Sequence, residues 1–136
     1  MPLLKEYTVF ISHSWDHDTQ YLKLVEMLNG AKLFDVKFEE ATKNNPINSQ
    51  NALYIKVKLS EKISNSNIVL GLAGMYASHS DWMQWELNKA IQHGIPIVGV
   101  IPWGQERISA VVAQRAKELV RWNTDPIVNA IRKHAL

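Results

Sequence analysis

Along the whole chain, short runs rich in β-branched and aromatic residues alternate with runs whose apolar positions recur every three or four residues. Tyr7-Thr8-Val9-Phe10-Ile11-Ser12 is of the first kind and predicts a strand. Over residues 19–28, Tyr21, Leu24, Val25 and Leu28 fall at i, i+3, i+4 and i+7, the spacing of one helix face. Asn29-Gly30 ends this helix, with Gly30 expected in the left-handed cap position. A weaker strand is expected over 33–38, then an aperiodic polar loop over 39–49 that contains Asn44-Asn45-Pro46. Residues 49–64 read as a helix because Ile55, Leu59 and Ile63 repeat every four residues. The alternation in Tyr54-Ile55-Lys56-Val57-Lys58 would also suit a strand.

In the second half, Ile68-Val69-Leu70 is continuously apolar, so 67–72 predicts a strand covered on both faces. Residues 81–93 form the most regular helical pattern, with Met83, Leu87, Ala90 and Ile91 in one stripe and Gly94 closing it. Ile97-Val98-Gly99-Val100-Ile101 is a second buried strand, set between Pro96 and Pro102. A short helix over 108–116 and a short strand over 118–122 follow. Asp125 is expected to cap a last helix, with Pro126 at its first position. Alternating strands and helices with continuous apolar strands indicate an α/β fold. The element count fits a flavodoxin-like three-layer sandwich around a five-stranded parallel sheet of order 2-1-3-4-5. No repeat, low-complexity tract or linker interrupts the pattern, so residues 1–136 are expected to form one domain.

Composition narrows the function. The chain has 136 residues, of which 46% are hydrophobic and 21% charged, enough apolar material for one core without cross-links. Its net charge is only +2 and the basic residues are scattered, which argues against a nucleic-acid partner. The absence of cysteine excludes disulfides, thiolate zinc sites and thiol nucleophiles, and fits a reducing compartment. The opening Met1-Pro2-Leu3-Leu4-Lys5-Glu6 lacks the basic-then-apolar order of an export signal. The longest apolar stretches, 68–77 and 95–103, fall well short of the roughly 20 residues that span a bilayer. The expectation is a cytoplasmic protein with no membrane association.

A parallel sheet of this order binds ligands outside the carboxyl ends of its strands, between strands one and three. That places Ser12-His13-Ser14-Trp15-Asp16 and residues 73–81 at the expected site. Ser, His and Asp equally often cap helices and fill turns. Neither a P-loop nor a Gly-x-Gly-x-x-Gly fingerprint is present, and no Gly-x-Ser-x-Gly elbow is found. Strand three ends Leu72-Ala73-Gly74 rather than in an aspartate, which excludes a phosphoacceptor receiver. His13 and His17 straddle a loop, so no metal site is expected.

The strongest local signal is Ser80-Asp81-Trp82-Met83-Gln84-Trp85-Glu86-Leu87. Trp82 and Glu86 stand at i and i+4 and share a helix face, with Glu86 flanking the apolar stripe. There, partial desolvation raises a carboxylate's pKa and strengthens its hydrogen bonds. Helix geometry taken alone favours a plainer reading, a surface glutamate paired with Lys89.

Tyr7-Thr8-Val9-Phe10-Ile11-Ser12-His13 resembles the first box of TIR domains, an aromatic-x-Val-Phe-Ile/Leu-Ser strand. Trp82-x-x-x-Glu86-Leu87 resembles the Trp-Cys-x-x-Glu-Leu box that carries the catalytic glutamate of NAD-consuming TIR enzymes. Met83 replaces the cysteine of many TIR domains, a departure that removes no obvious chemistry. Val120-Arg121-Trp122-Asn123-Thr124-Asp125 is similar to the ThsB-like family of the bacterial Thoeris anti-phage system, and the element order agrees over nearly the whole chain.

The resemblance implies an NAD glycohydrolase or ADP-ribosyl cyclase, with NAD as substrate and no cofactor. The nicotinamide–ribose bond would be cut, and a cyclic ADP-ribose-type messenger would then activate a separate effector. It implies Glu86 as the catalytic residue and Phe10, Ser12, His13, Ser14 and Trp82 as substrate-binding residues. Trp82 or Trp85 would stack on a ring, although helical tryptophans more often serve the core. It also implies a homo-oligomer formed through loop 39–49. Two alternatives stand beside this reading. One is a non-catalytic TIR-like adaptor acting by homotypic association, and the other a nucleoside deoxyribosyltransferase-like enzyme.

Overall fold

All five residues of β3 (Ile68–Leu72) and of β4 (Ile97–Ile101) are buried, the mark of parallel strands covered on both faces. The computed structural model describes residues 6–12, 18–32, 34–39, 52–74, 81–102 and 108–136. The remaining strands are β1 (Glu6–Ser12), β2 (Asp35–Glu39) and β5 (Glu118–Arg121). They join in the order β2-β1-β3-β4-β5 with every pairing parallel, as expected for the flavodoxin-like α/β arrangement. The helices are α1 (Asp18–Asn29), α2 (Ala52–Ser64), α3 (Asp81–Gln92), α4 (Ala110–Ala113) and α5 (Thr124–His134). Among the described residues no helix is long and apolar enough to cross a membrane.

Alternation along each strand divides the core in two. Val9, Ile11, Leu70 and Val100 join Leu24 and Leu28 of α1 and Ile127 and Ile131 of α5. Phe10, Val69 and Ile97 join Ile55, Leu59 and Ile63 of α2, Met83, Leu87 and Ala90 of α3, and Val112 of α4. The four-residue repeat in α2 is therefore a buried stripe, and the strand-like alternation of 54–58 yields to it. On this second face the register sets Ser12 beside Gly71, and Gly71 beside Gly99. Three adjacent strands thus carry almost no side chain in one row. A Cβ at Gly99 would lie 2.9 Å from Val112 Cγ1 and would also collide with Leu119 Cδ2, so the glycine is what lets α4 and β5 close on the sheet.

Several local expectations are corrected. Gly94 (φ 71°) is the described glycine with positive φ; Gly30 is not in that region. The first helix instead ends in ordinary bonds from Gly30 N to Glu26 O (3.1 Å) and from Ala31 N to Leu28 O (3.2 Å). After α3 the left-handed Gly94 allows Ile95 N to bond Ala90 O (2.9 Å) and Gly94 N to bond Ile91 O (3.1 Å), a Schellman closure. Ile91 leaves the apolar stripe and is 53% exposed. It and Glu86 flank that stripe at roughly 70° on opposite sides, and the helix is turned with the Glu86 side inward.

β2 is displaced toward the carboxyl end and includes Glu39, so that residue belongs to the sheet, paired with Phe10. The rest of loop 39–49 lies outside the described residues. α4 is shorter than 108–116: it starts only after Ser109, whose backbone is extended. Past Ala113 it continues as turn bonds, from Gln114 N to Ala110 O (2.9 Å) and Ala116 N to Val112 O (2.9 Å), before Lys117 N reaches Ile97 O (2.7 Å) at the sheet. β5 stops at Arg121, one residue early. The last helix starts at Thr124 after Asn123, whose backbone is extended and whose side chain makes no cap bond. Asp125 and Pro126 therefore sit inside the first turn. There a carboxylate meets the positive end of the helix dipole, and a missing N–H loses nothing.

Candidate active site

Ser12 is the last residue of β1, on the same face as Phe10, and its hydroxyl is aimed under α3. Glu86 comes to the same point from the second turn of α3. The Ser12 hydroxyl donates to Glu86 Oε1 at 2.8 Å across 74 residues of sequence. Both side chains are fully buried. An ionised carboxylate in such a place is unfavourable unless hydrogen-bonded, and a charge-assisted bond from a hydroxyl supplies part of what water would have given. The glycines at the neighbouring register positions are covered by Val112 and, at Gly71, by Leu87, so apolar side chains close over the sheet right beside the carboxylate.

The surface pairing of Glu86 with Lys89 is not present. Lys89 Nζ donates to Gln92 Oε1 (3.1 Å) and lies 5.4 Å from the Trp85 ring centre, while Glu86 points the other way. Trp82 and Trp85 are both half-buried and pack against the second core cluster. Their rings meet edge to face at 6.0 Å and 82°. This contact fixes the first turn of α3 beside the site and leaves part of each ring toward the surface. Phe10, 2% exposed, lies two residues before Ser12 on the same strand face and forms the apolar floor beneath it. His13, Ser14 and His17 lie outside the described residues.

The structure thus brings together Ser12 and Glu86 next to Phe10 at the carboxyl edge of β1, with Trp82 one helical turn before Glu86 on α3, where a switch in strand order was expected to place a ligand. Ser109 is a further buried polar residue that sequence reading missed. Its backbone N–H donates to Ala73 O (2.9 Å), tying the start of α4 to the residue that follows β3. Only its place just before a short apolar run marked it in the sequence.

The fold and the buried pair define a parallel α/β domain with a carboxylate held at the mouth of the sheet. Solved structures that share that fold include two N-glycosidic-bond enzymes. One is a 2-deoxyribosyltransferase from the psychrotolerant bacterium Bacillus psychrosaccharolyticus, 18% identical, with a TM-score of 0.61 over 90% of each chain. Another is the Clostridium botulinum CMP N-glycosidase BcmB, 11% identical, with a TM-score of 0.56 over 92% of this chain and 98% of that one. No curated protein matches the sequence. The family model described as Thoeris protein ThsB, TIR-like domain, matches residues 10–107, a span that contains both Ser12 and Glu86. The chain belongs to the TIR-like family of Thoeris ThsB proteins.

Proposed function

We propose that this Thoeris TIR-like protein cleaves NAD between nicotinamide and ribose and closes the ADP-ribose into a cyclic second messenger for a separate effector. The observation that carries the reading is the Glu86 carboxylate, buried at the carboxyl end of the sheet and hydrogen-bonded by Ser12. Nicotinamide departs with the electron pair of the C–N bond as a neutral molecule, so no acid is needed to protonate it. Positive charge develops on the ribose as an oxocarbenium ion. One carboxylate in a water-poor site stabilises that charge, the role of the stabilising carboxylate in glycoside hydrolysis. The ribose carbon is then taken by an acceptor atom of the same molecule, which releases one proton, or by water. Exclusion of water at Glu86 favours the internal acceptor.

Trp82 stacks on an aromatic ring of the substrate in this reading, and Phe10, Ser12, His13 and Ser14 shape its ribose end. Loop 39–49 meets a neighbouring copy, and the cytoplasmic NAD pool supplies the substrate, with no cofactor. The names of the two fold neighbours suggest a second substrate class, nucleosides and nucleoside monophosphates, on the same kind of N-glycosidic bond. An adaptor acting by association alone would gain nothing from a buried carboxylate, which burdens the fold.

Chromatography of NAD incubated with concentrated protein, wild type beside Glu86→Gln, tests the proposal. Wild type is expected to consume NAD and the variant to lose about 10²–10³-fold or more of the rate. Equal consumption by both would point to another carboxylate. Consumption by neither, with cleavage of deoxyribonucleosides in a parallel incubation, would establish the nucleoside reading. Inactivity toward both would favour the adaptor.

A further inference from the structure

We infer that Ser12 is a positioning residue for Glu86, setting the orientation of its carboxylate rather than contacting substrate through its own hydroxyl. The inference rests on the catalytic reading of Glu86 given above. Ser12 and Glu86 are equally shielded from solvent, so it is the direction of the bond that separates their roles: the Ser12 hydroxyl proton is given to Glu86 Oε1, 2.8 Å away. To bond a substrate hydroxyl, it would have to give up a bond to a buried carboxylate, and such bonds are among the strongest a hydroxyl makes. Its backbone is paired with Gly71 of β3, and Phe10 two residues earlier is held by both β2 and β3, so rotation about the Ser12 side-chain torsion is the main way to move the oxygen. The neighbouring positions of the same row, Gly71 and Gly99, have no side chain with which to steer the carboxylate. Glu86 has three side-chain torsions of its own, and a transition-state contact tolerates little misplacement. The bond from Ser12 restricts that freedom at Oε1.

The test compares Ser12→Ala, Ser12→Cys and Ser12→Thr with wild type, each first shown to melt cooperatively. With NAD as substrate, Ser12→Ala is expected to lower kcat about 10–100-fold with KM within about twofold, the pattern of an interaction used in the transition state alone. Ser12→Thr keeps the hydroxyl in a strand-favouring residue and should recover most of the rate. Ser12→Cys, close in size but a weak donor, should resemble Ser12→Ala and serves if the alanine variant does not fold. A rise in KM with kcat unchanged would overturn the inference in favour of substrate contact. The side-chain carboxyl resonance of Glu86, assigned in carbon-13-labelled protein by its loss in Glu86→Gln, gives a readout that needs no turnover. It should move in Ser12→Ala and return in Ser12→Thr. If wild type leaves NAD untouched while this resonance moves, the proposed reaction falls but the positioning contact stands. A resonance unmoved by Ser12→Ala would overturn the contact itself.

Discussion

Under α1 and α5 the sheet presents Val9, Ile11, Leu70 and Val100 to Leu24, Leu28, Ile127 and Ile131, a cluster whose members are shielded from water and serve packing alone. Under α2, α3 and α4 the amino-terminal half is built in the same way, from Phe10, Val69 and Ile97. Its carboxyl half is different. Ser12, Gly71 and Gly99 replace large apolar residues in one row, and a carboxylate occupies the neighbourhood. The comparison shows where this domain gives up large strand side chains, letting Val112 and Leu87 come down on the sheet beside a buried carboxylate. It does so on one face, at one end, where the chain order makes a crevice. One half of the core can therefore be read as stability, and the edge of the other as the place the proposed reaction would use.

That contrast can be broken most sharply at Glu86. Glu86→Gln keeps shape and removes charge, so NAD turnover should fall by the factor given above while the melting temperature holds or rises, since a buried charge disfavours folding. A melting temperature lowered by many degrees would make the carboxylate a structural element. The opposite pattern is expected on the other face. Leu24→Ala deletes buried methyl groups from α1 and should cost about 2–5 kcal/mol in urea unfolding, with turnover per folded molecule unchanged.

Gly99→Ala tests the row itself. Its Cβ would crowd Val112 and Leu119, side-chain tips that can shift, so a loss of about 1–3 kcal/mol is expected from the same titration. The smallest effect should come from the amino end of the sheet. Asn67 Oδ1 accepts the Thr8 N–H at 2.8 Å, and Asn67→Ala should remove about 1 kcal/mol without touching activity.

The parts of the fold that were legible are those with a strong period or a continuous apolar run. Ile55, Leu59 and Ile63, the runs at β3 and β4, and the glycine closing α3 all lie where pattern placed them. Helix ends were less legible. Whether Gly30 adopts positive φ, or which residue precedes α5, is decided by bonds of a few ångström that several sequences satisfy equally. At the site, the Trp82–Glu86 spacing put both residues on one face of α3, but the direction of that face was hidden. Ile91 and Glu86 flank the stripe almost symmetrically, and only packing against β1 decides which turns inward. The partnership of Ser12 with Glu86 had no local signal, because it joins two elements that meet only through the sheet.

That distance along the chain shapes the order in which the protein comes into being. Ser12 leaves the ribosome with the first strand, and Glu86 follows 74 residues later. At roughly 5–20 residues per second this is an interval of about 4–15 s. For most of it β1 lacks its central neighbour β3, and for the rest it lacks the helix that delivers the carboxylate. An unfinished chain therefore holds half of the pair, and premature termination before α3 yields a protein without a complete site. Any activity of the site is reserved for a molecule in which β1, β3 and α3 have all been made.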